Sequence, residues 1–295
     1  MILIKQISKK GTSLKTTVIL VRHGETEWNR AGKFQGMSDI PLSETGRYQA
    51  SCARDALKGT EIDAAYASPL RRAMETARII LQEREIEPEP VFDFHEQNAG
   101  AWEGLTAEEI RLRYPKELEL WSNCPGQVQI PDGETFLHVQ QRATRAFWEC
   151  VHANPGKTIL IASHMVCLSA LLLGIAGLPI DEIWAHPISN AGLNRVEVFT
   201  PAEIDSTAGT AENASDDAAF TSVTGGPQSS ETGGPQNSET GGPQNSETGG
   251  PQDAGPRPGE RASITVWNED SHLPEEFRRR PMFRKQQSSQ AQQAQ

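Results

Sequence analysis

The sequence predicts an α/β fold in which a mostly parallel, doubly wound sheet carries helices on both faces. The first observation is an apolar run at 16–21 that ends in an Arg-His-Gly turn at 22–24. The second is a similar run at 157–163 that ends in His164. The third is the alternation of strand and helix patterns, which is typical of parallel sheets. Because the carboxyl ends of parallel strands share one sheet edge, both histidines are expected there.

Five helices are expected along the chain. Ser43 is a suitable cap for a helix that ends near Leu57. Pro69 suits the first position of a second helix, whose apolar stripe runs to Leu81. The other three are expected at 106–114, where Pro115 breaks the helix, at 134–152 and at 165–176.

The remaining patterns divide the chain into five parts. Further short strands are expected at 64–67, 89–92, 194–199 and 263–267. The expected parts are a flexible leader at 1–15, a core at 16–200, a disordered insertion at 201–262, a last core strand within 263–275, and a flexible basic and Gln-rich tail at 276–295.

The insertion is predicted from an octapeptide repeat. Copies built from Thr, Gly, Pro, Gln, Ser, Asn and Glu stand at 224–231, 232–239 and 240–247. Such a segment cannot bury enough apolar surface to offset its ordering entropy. A solenoid is the alternative, but the repeat offers no apolar position from which a stacked core could form.

Charge and composition exclude several functional classes. The chain has a net charge of −11, and residues 201–260 carry nine of those charges. The near-neutral remainder lacks the basic excess of a nucleic-acid-binding protein. No apolar run is long enough for a membrane span. The four cysteines lack metal-type spacing and are expected to be reduced thiols of a cytoplasmic protein.

The residues at the first strand end have the chemistry of a phosphate pocket. Arg22 offers a planar fork of donors for phosphoryl oxygens, and His23 beside it is a possible nucleophile. Arg72 lies off the apolar stripe of the second helix, in its first turn. Its side chain is therefore expected to point toward the same sheet edge.

Four segments together resemble the histidine phosphatase superfamily, in the branch of cofactor-dependent phosphoglycerate mutases and small-molecule phosphatases. They are Arg-His-Gly-Glu-Thr with Trp-Asn at 22–29, Ser-Pro-Leu-Arg-Arg-Ala with Thr-Ala at 68–77, Glu96 with Gly-Ala-Trp-Glu-Gly at 100–104, and Ser-His at 163–164. The resemblance covers roughly 16–200 and resumes at 266–273. It implies a phosphoglycerate mutase-like fold.

The resemblance also implies a role for each matched residue. His23 would be the nucleophile that forms a phosphohistidine, and Glu96 would be the general acid and then the general base. The phosphoryl group and the substrate would be held by Arg22, Arg72, His164, Asn29 and Gln35. The implied substrate is a small phosphomonoester, and no cofactor or metal is expected.

Elementary chemistry supports these roles. An alcohol leaves poorly as an alkoxide, so an acid must protonate it, and a carboxyl group beside a phosphate dianion favours its protonated form. A histidine flanked by arginines is neutral at physiological pH, as a nucleophile must be. Cationic donors stabilise the charge that spreads over the transferring phosphoryl group.

Rivals exist for two of these roles. His95 and Glu103 compete with Glu96 as the acid, and Arg71 competes with Arg72, although the spacing before Ala73 favours Arg72. Structural or ordinary polar roles are expected for Glu25, Asp39, His138, His152, His186 and His272.

Three functions follow in order of preference. The compact segment between Glu96 and the long helix favours a phosphatase over a phosphoglycerate mutase that uses the same phosphohistidine. A non-catalytic binding module is disfavoured because every site residue is present. Met165 follows His164 where the family commonly has Gly, which leaves the substrate open among phosphoglycerates, phosphoserine, sugar phosphates and a cobalamin precursor. The oligomeric state is also left open.

Overall fold

A six-stranded sheet runs through the part of the chain that this computed structural model describes, residues 13–201 and 255–278. Its strands are β1 (Leu14–Arg22), β2 (Ala64–Ala67), β3 (Glu89–Pro90), β4 (Thr158–Ser163), β5 (Leu193–Thr200) and β6 (Arg261–Glu269). They lie in the order β3-β2-β4-β1-β5-β6. The first four are parallel, whereas β5 runs antiparallel to β1 and β6 antiparallel to β5. The predicted, mostly parallel α/β fold is confirmed.

Helices cover both faces of the sheet. In chain order they are α1 (Glu27–Arg30), α2 (Glu44–Ala56), α3 (Arg71–Leu81), α4 (Ala107–Arg113), α5 (Pro115–Asn123), α6 (Phe136–Ala153) and α7 (Met165–Ala176). The pair α2 and α3 packs with the core on one face, and the pair α6 and α7 packs with the core on the other. The doubly wound arrangement follows from this division.

Strand β1 is the central support of the site because it is buried on both faces. Val18 and Leu20 belong to the core under α6 and α7, whereas Ile19 and Val21 belong to the core under α2 and α3. All four side chains are buried. A strand covered on both sides needs apolar residues at every position, which is why it appears in the sequence as a continuous apolar run.

The register of β1 and β4 brings their carboxyl ends level. Arg22 is opposite Ser163, and the N–H of His23 donates to the carbonyl oxygen of Ser163 at 2.9 Å. The residues that follow, His23 and His164, therefore emerge at one edge of the sheet, as the sequence predicts.

Two prolines behave differently from the prediction. Pro69 does not begin a helix: Leu70 after it stays extended, and α3 begins at Arg71. Pro115 ends α4 but also opens α5, because the residue before a proline disfavours helical geometry while proline itself suits a first turn. The break is therefore confined to Tyr114.

Several predicted boundaries shift. Strand β1 begins at Leu14, inside the expected leader, and β6 begins at Arg261, inside the expected insertion. Phe277, placed in the tail, packs against the core under α2 and α3. Residues 1–12, 202–254 and 279–295 of the predicted leader, insertion and tail lie outside the described residues. The five-part division of the chain stays a prediction.

Two further expectations concern membrane-spanning helices and the cysteines. In residues 13–201 and 255–278, each helix lacks the length or the apolar character needed to cross a bilayer. All four cysteines are free thiols. Cys150 and Cys167 are buried, and burial raises the pKa of the former to about 12 and of the latter to about 11.

Two glycines bring the loop after β1 against the first turn of α2. A Cβ at Gly46 would overlap the carbonyl oxygen of Glu25, and a Cβ at Gly24 would overlap the carbonyl oxygen of Gly46. Each obstacle is main chain rather than a flexible side chain. The loop that carries the first histidine can therefore lie against α2 only while both positions lack a side chain.

Replacing Gly46 with Ala is expected to lower the free energy of unfolding by about 1–3 kcal/mol, because main chain must shift to admit the methyl group. Urea denaturation midpoints measure the effect. Gly59→Ala is the matched control, since a Cβ there meets no atom of the described chain within 4 Å. Equal midpoints for the two variants would contradict the close approach at Gly46.

Candidate active site

A cleft opens where β1 and β4 end, and it brings most of the predicted site residues together. It encloses about 540 Å³, its open mouth included, which suits a small ligand. Its walls include Arg22, His23, Asn29, Gln35, Arg72 and Glu96. His164 lies beside His23, with 5.1 Å between the ring centroids.

The two arginines reach the cleft from different elements and are both buried. Arg22 ends β1 and donates through Nη1 to the carbonyl oxygen of Ile188 at 2.6 Å. Arg72 lies in the first turn of α3 and donates to the carbonyl oxygens of Ser38 at 2.7 Å and Gly36 at 2.8 Å. Loop carbonyls therefore fix both guanidinium groups.

The charges of these arginines are not balanced by ion pairs. Among the salt bridges of the described residues, none joins Arg22 or Arg72 to a carboxylate. Burial lowers the pKa of each guanidinium to about 10, so both remain charged at neutral pH. In the same part of the chain, Nε of each arginine is buried without a hydrogen-bond partner. Such a pair of buried cations suits a dianionic ligand.

His23 is held in one tautomer. Its Nδ1 lies 2.7 Å from the carbonyl oxygen of Gly24, and because a carbonyl only accepts, Nδ1 carries the proton. The other ring nitrogen, Nε2, then has a free lone pair. Burial, Arg72 and Arg22 lower the pKa of His23 well below 6.5, so the neutral ring persists into mild acid.

His164 is the second histidine of the site and is fully buried. Its Nε2 lies 2.8 Å from Oγ of Ser68, whose hydroxyl can donate to that nitrogen while the oxygen accepts from the N–H of Leu70 at 3.3 Å. Within residues 13–201 and 255–278, its Nδ1 is buried without a partner. Burial, Arg72 and His23 lower the pKa of His164 well below its usual value.

Glu96 is fixed by main-chain donors. Its Oε1 accepts from the N–H of Gln97 at 2.9 Å and of Cys167 at 3.2 Å, and its Oε2 accepts from Val166 at 3.4 Å. Two of these three donors belong to the first turn of α7, where N–H groups lack helical partners. The carboxylate therefore has a fixed position on the cleft wall.

Asn29 and Gln35 present donors to the same cleft. Thr26 donates to Oδ1 of Asn29, through its N–H at 3.1 Å, and its hydroxyl lies 2.9 Å from Oε1 of Gln35. Because their oxygens accept these contacts, the amide NH₂ groups remain as donors. Both side chains can thus add to the binding of an anion.

The rival residues lie elsewhere. His95 bonds through Nδ1 to the carbonyl of Glu96 and packs at a tilt against the ring of Phe92. Glu103 accepts from the N–H of Met37 and the hydroxyl of Ser38. Neither side chain lines the cleft. Arg71 is exposed, and its N–H donates to Oδ1 of Asp39, which thereby caps α3.

Sequence reasoning left several wall residues unnamed. The cleft is also lined by Lys33, Phe34, Gln97, Ala99, Trp121 and Val166. Gln97, Ala99 and Trp121 come from the chain between Glu96 and α6, and Val166 comes from the first turn of α7. No spacing rule marks the individual positions, because they converge only once the loops are folded.

A loop before β5 supports the site and is held by the end of β6. Ser189 donates its N–H to Oδ1 of Asn268 at 2.7 Å, and Asn268 donates its own N–H to Oδ1 of Asn194 at 2.7 Å. The neighbouring Ile188 accepts from Arg22, and Asn190 donates to the carbonyl of His23 at 3.0 Å. The last strand therefore helps to fix the first histidine.

Residues 13–201 and 255–278 contain no group of three or more His, Cys, Asp or Glu side chains placed to hold a metal ion.

Two curated proteins are similar over most of their lengths. Phosphoserine phosphatase 1 of Hydrogenobacter thermophilus is 30% identical over 181 residues, which is 61% of this chain and 86% of that protein. The 2,3-bisphosphoglycerate-dependent phosphoglycerate mutase of Bartonella henselae is 33% identical over 184 residues, or 60% of this chain and 89% of that protein. The chain is thus similar both to a phosphatase and to a mutase.

A solved structure and a family model agree with these relatives. YhfR of Bacillus stearothermophilus matches with a TM-score of 0.61 and 36% identity, over 63% of this chain and 95% of that chain. The family model described as histidine phosphatase superfamily (branch 1) matches residues 18–203. Together with the strand-end histidines and the two buried arginines, this match shows that the chain belongs to the histidine phosphatase superfamily, branch 1.

Proposed function

We propose that this protein is a metal-independent phosphatase that hydrolyses small phosphomonoesters through a phosphohistidine on His23. The observation that carries the proposal is the hydrogen bond from Nδ1 of His23 to the Gly24 carbonyl. It leaves Nε2 as the unprotonated nitrogen, in a cleft that two buried guanidinium groups also line. A neutral nucleophile beside a dianion-binding pair is what phosphoryl transfer to nitrogen requires.

In the first step, the lone pair of His23 Nε2 attacks phosphorus and the bond to the ester oxygen breaks. The protonated carboxyl of Glu96 gives its proton to that oxygen, so an alcohol leaves rather than an alkoxide. Arg22, Arg72 and Nδ1 of His164 bind the phosphoryl oxygens as charge spreads over them. Asn29 and Gln35 add neutral donors.

In the second step, water attacks the phosphohistidine. The carboxylate of Glu96 takes a proton from the water, its oxygen bonds to phosphorus, and the bond between phosphorus and Nε2 breaks. Inorganic phosphate leaves, His23 regains its lone pair and Glu96 regains its proton. The cycle therefore closes without a metal or a cofactor.

A phosphoglycerate mutase is the alternative function of the same residues. It would pass the phosphoryl group from His23 to a hydroxyl of a sugar acid instead of to water. The similarity to the Bartonella henselae mutase favours keeping this candidate. A non-catalytic binding module is the least favoured, because the nucleophile, both arginines and the second histidine all adjoin the cleft.

The four free thiols support a cytoplasmic site of action.

Phosphate release from a panel of monoesters, assayed in EDTA, is the direct test. The wild type is expected to release phosphate, and His23→Ala is expected to lower kcat/KM by at least about 10³-fold because the nucleophile is lost. His152→Ala is the control, since that side chain bonds Glu260 near the far ends of the strands. Rapid quenching should trap an acid-labile phosphoenzyme in the wild type alone.

Two results would overturn this assignment. Full activity in His23→Ala would mean that another residue is the nucleophile. Silence of the wild type on every ester, with interconversion of phosphoglycerates once 2,3-bisphosphoglycerate is added, would favour the mutase.

The lowered pKa of His23 predicts activity in mild acid. A histidine of ordinary pKa, about 6.5, would be roughly 90% protonated at pH 5.5 and would lose about tenfold in rate. Because burial and the two arginines lower the pKa, His23 stays neutral there and kcat/KM per substrate dianion is expected to hold between pH 7 and 5.5. Nitrogen NMR of the imidazole, assigned with His23→Gln, should report a neutral ring protonated at Nδ1. A titration of this ring near pH 6.5 would contradict the prediction.

A further inference from the structure

Arg142 on α6 is a buried arginine to which the proposed reaction gives no part. Its Nε and Nη2 donate to the two carboxylate oxygens of Glu134 at 2.7 and 2.9 Å. Its Nη1 donates to the carbonyls of Asp93 at 2.6 Å and His95 at 2.9 Å, and its Nη2 also donates to the carbonyl of Glu96 at 3.2 Å. All five N–H donors of the guanidinium group are therefore used.

Glu134 binds the same segment through both its side chain and its main chain. Its Oε2 accepts from the N–H of Asn98 at 3.3 Å, its main-chain N–H donates to the carbonyl of Asn98, and its carbonyl accepts from Nε2 of Gln97 at 2.7 Å. Burial alone would raise the pKa of Glu134, but hydrogen bonds from Arg142 lower it, so the pair is ionised. The segment 93–98 is thus held along both its carbonyl and its amide groups.

This contact differs from the other tethers of the same segment. Ser163 donates to the carbonyl of Phe94 at 2.7 Å, and α7 holds only the carboxylate of Glu96. Arg142 instead binds the main chain of Glu96 and of the residue before it. It therefore fixes the point from which the acidic side chain projects into the cleft.

We propose that Arg142, held by Glu134, is a positioning residue that sets where the carboxyl group of Glu96 meets the leaving-group oxygen. The inference rests on the proposed function, in which Glu96 donates the proton. A planar guanidinium group with five directed donors suits this task, whereas a lysine ammonium is a point charge with three. Proton transfer is sensitive to small displacements, so loss of the brace should weaken acid catalysis before it weakens phosphate binding.

Leaving-group dependence separates this role from a merely structural one. The substrates are p-nitrophenyl phosphate, whose leaving group needs little protonation, and β-glycerophosphate, whose alkoxide needs an acid. The measured quantity is kcat/KM, which reports the steps up to the phosphohistidine. In Arg142→Lys and Arg142→Met it is expected to fall about 10²-fold for β-glycerophosphate and less than about threefold for p-nitrophenyl phosphate. Glu96→Gln should show the same bias.

Arg145→Met is the matched control. Arg145 lies on the same helix and donates to the side chain of Asp93 at 2.6 Å, but it is exposed and touches no carbonyl of the segment. Its removal should leave the ratio of the two kcat/KM values unchanged. That ratio is measured on one enzyme sample, so it does not depend on the folded fraction. Glu134→Gln, expected to share the bias of Arg142→Lys, extends the test if Arg142→Met does not fold.

The outcomes are distinguishable from failure of the proposed function. If the wild type hydrolyses neither ester, the phosphatase proposal fails and the inference fails with it. If the wild type hydrolyses both and the ratio stays constant in the Arg142 and Glu134 variants, the positioning role alone is overturned.

Discussion

The site depends on two buried positive charges that are held by carbonyl oxygens rather than by carboxylates. Main-chain carbonyls of Ile188, Gly36 and Ser38 fix the guanidinium groups of Arg22 and Arg72 without cancelling their charge. Such burial is unfavourable by itself, and it persists because a core packed on both faces of the sheet holds the surrounding chain in place. A dianion that entered the cleft would add its countercharge to that of the nearby Glu96 carboxylate.

The positive charge of Arg72 also acts on both neighbouring histidines, whereas a third buried arginine, Arg142, is paired with a carboxylate. Near Arg72, burial and positive charge keep His23 and His164 neutral. Arg142, which holds the segment 93–98 through hydrogen bonds, is paired with both carboxylate oxygens of Glu134. Arg22 and Arg72 keep an Nε without a partner in the described chain, whereas all five donors of Arg142 are used in hydrogen bonds. Glu96 is in contact with both arrangements: its side chain lines the cleft together with Arg22 and Arg72, and its carbonyl accepts from Arg142.

The sequence predicted the parts of this arrangement that depend on local pattern. Strands β1 and β4 were identifiable because burial on both faces demands an unbroken apolar run, and α7 was predicted at its observed bounds. The start of α3 was not, because its capping group, Asp39, comes from a separate loop. Arg142 also escaped notice: it flanks the apolar stripe of α6, and its acceptors at 93–96 lie some 46 to 49 residues away. Such contacts arise from tertiary folding and leave no period in the sequence.

The antiparallel direction of β5 sets the end of the sheet at which the connection to β6 begins. Leu193 is paired with Val21 beside the site, whereas Thr200 is paired with Leu14 at the other end of the strand, roughly 25 Å away at the usual rise per residue. The described chain stops at Pro201 and resumes at Gly255, beyond which β6 runs back toward the edge that carries the cleft. Thr200 and Arg261, the strand residues that flank this connection, therefore lie at the opposite end of the sheet from Arg22 and His23. A change in the length of the connection between β5 and β6 is therefore expected to leave the register of β1 and β4, and with it the cleft, unchanged.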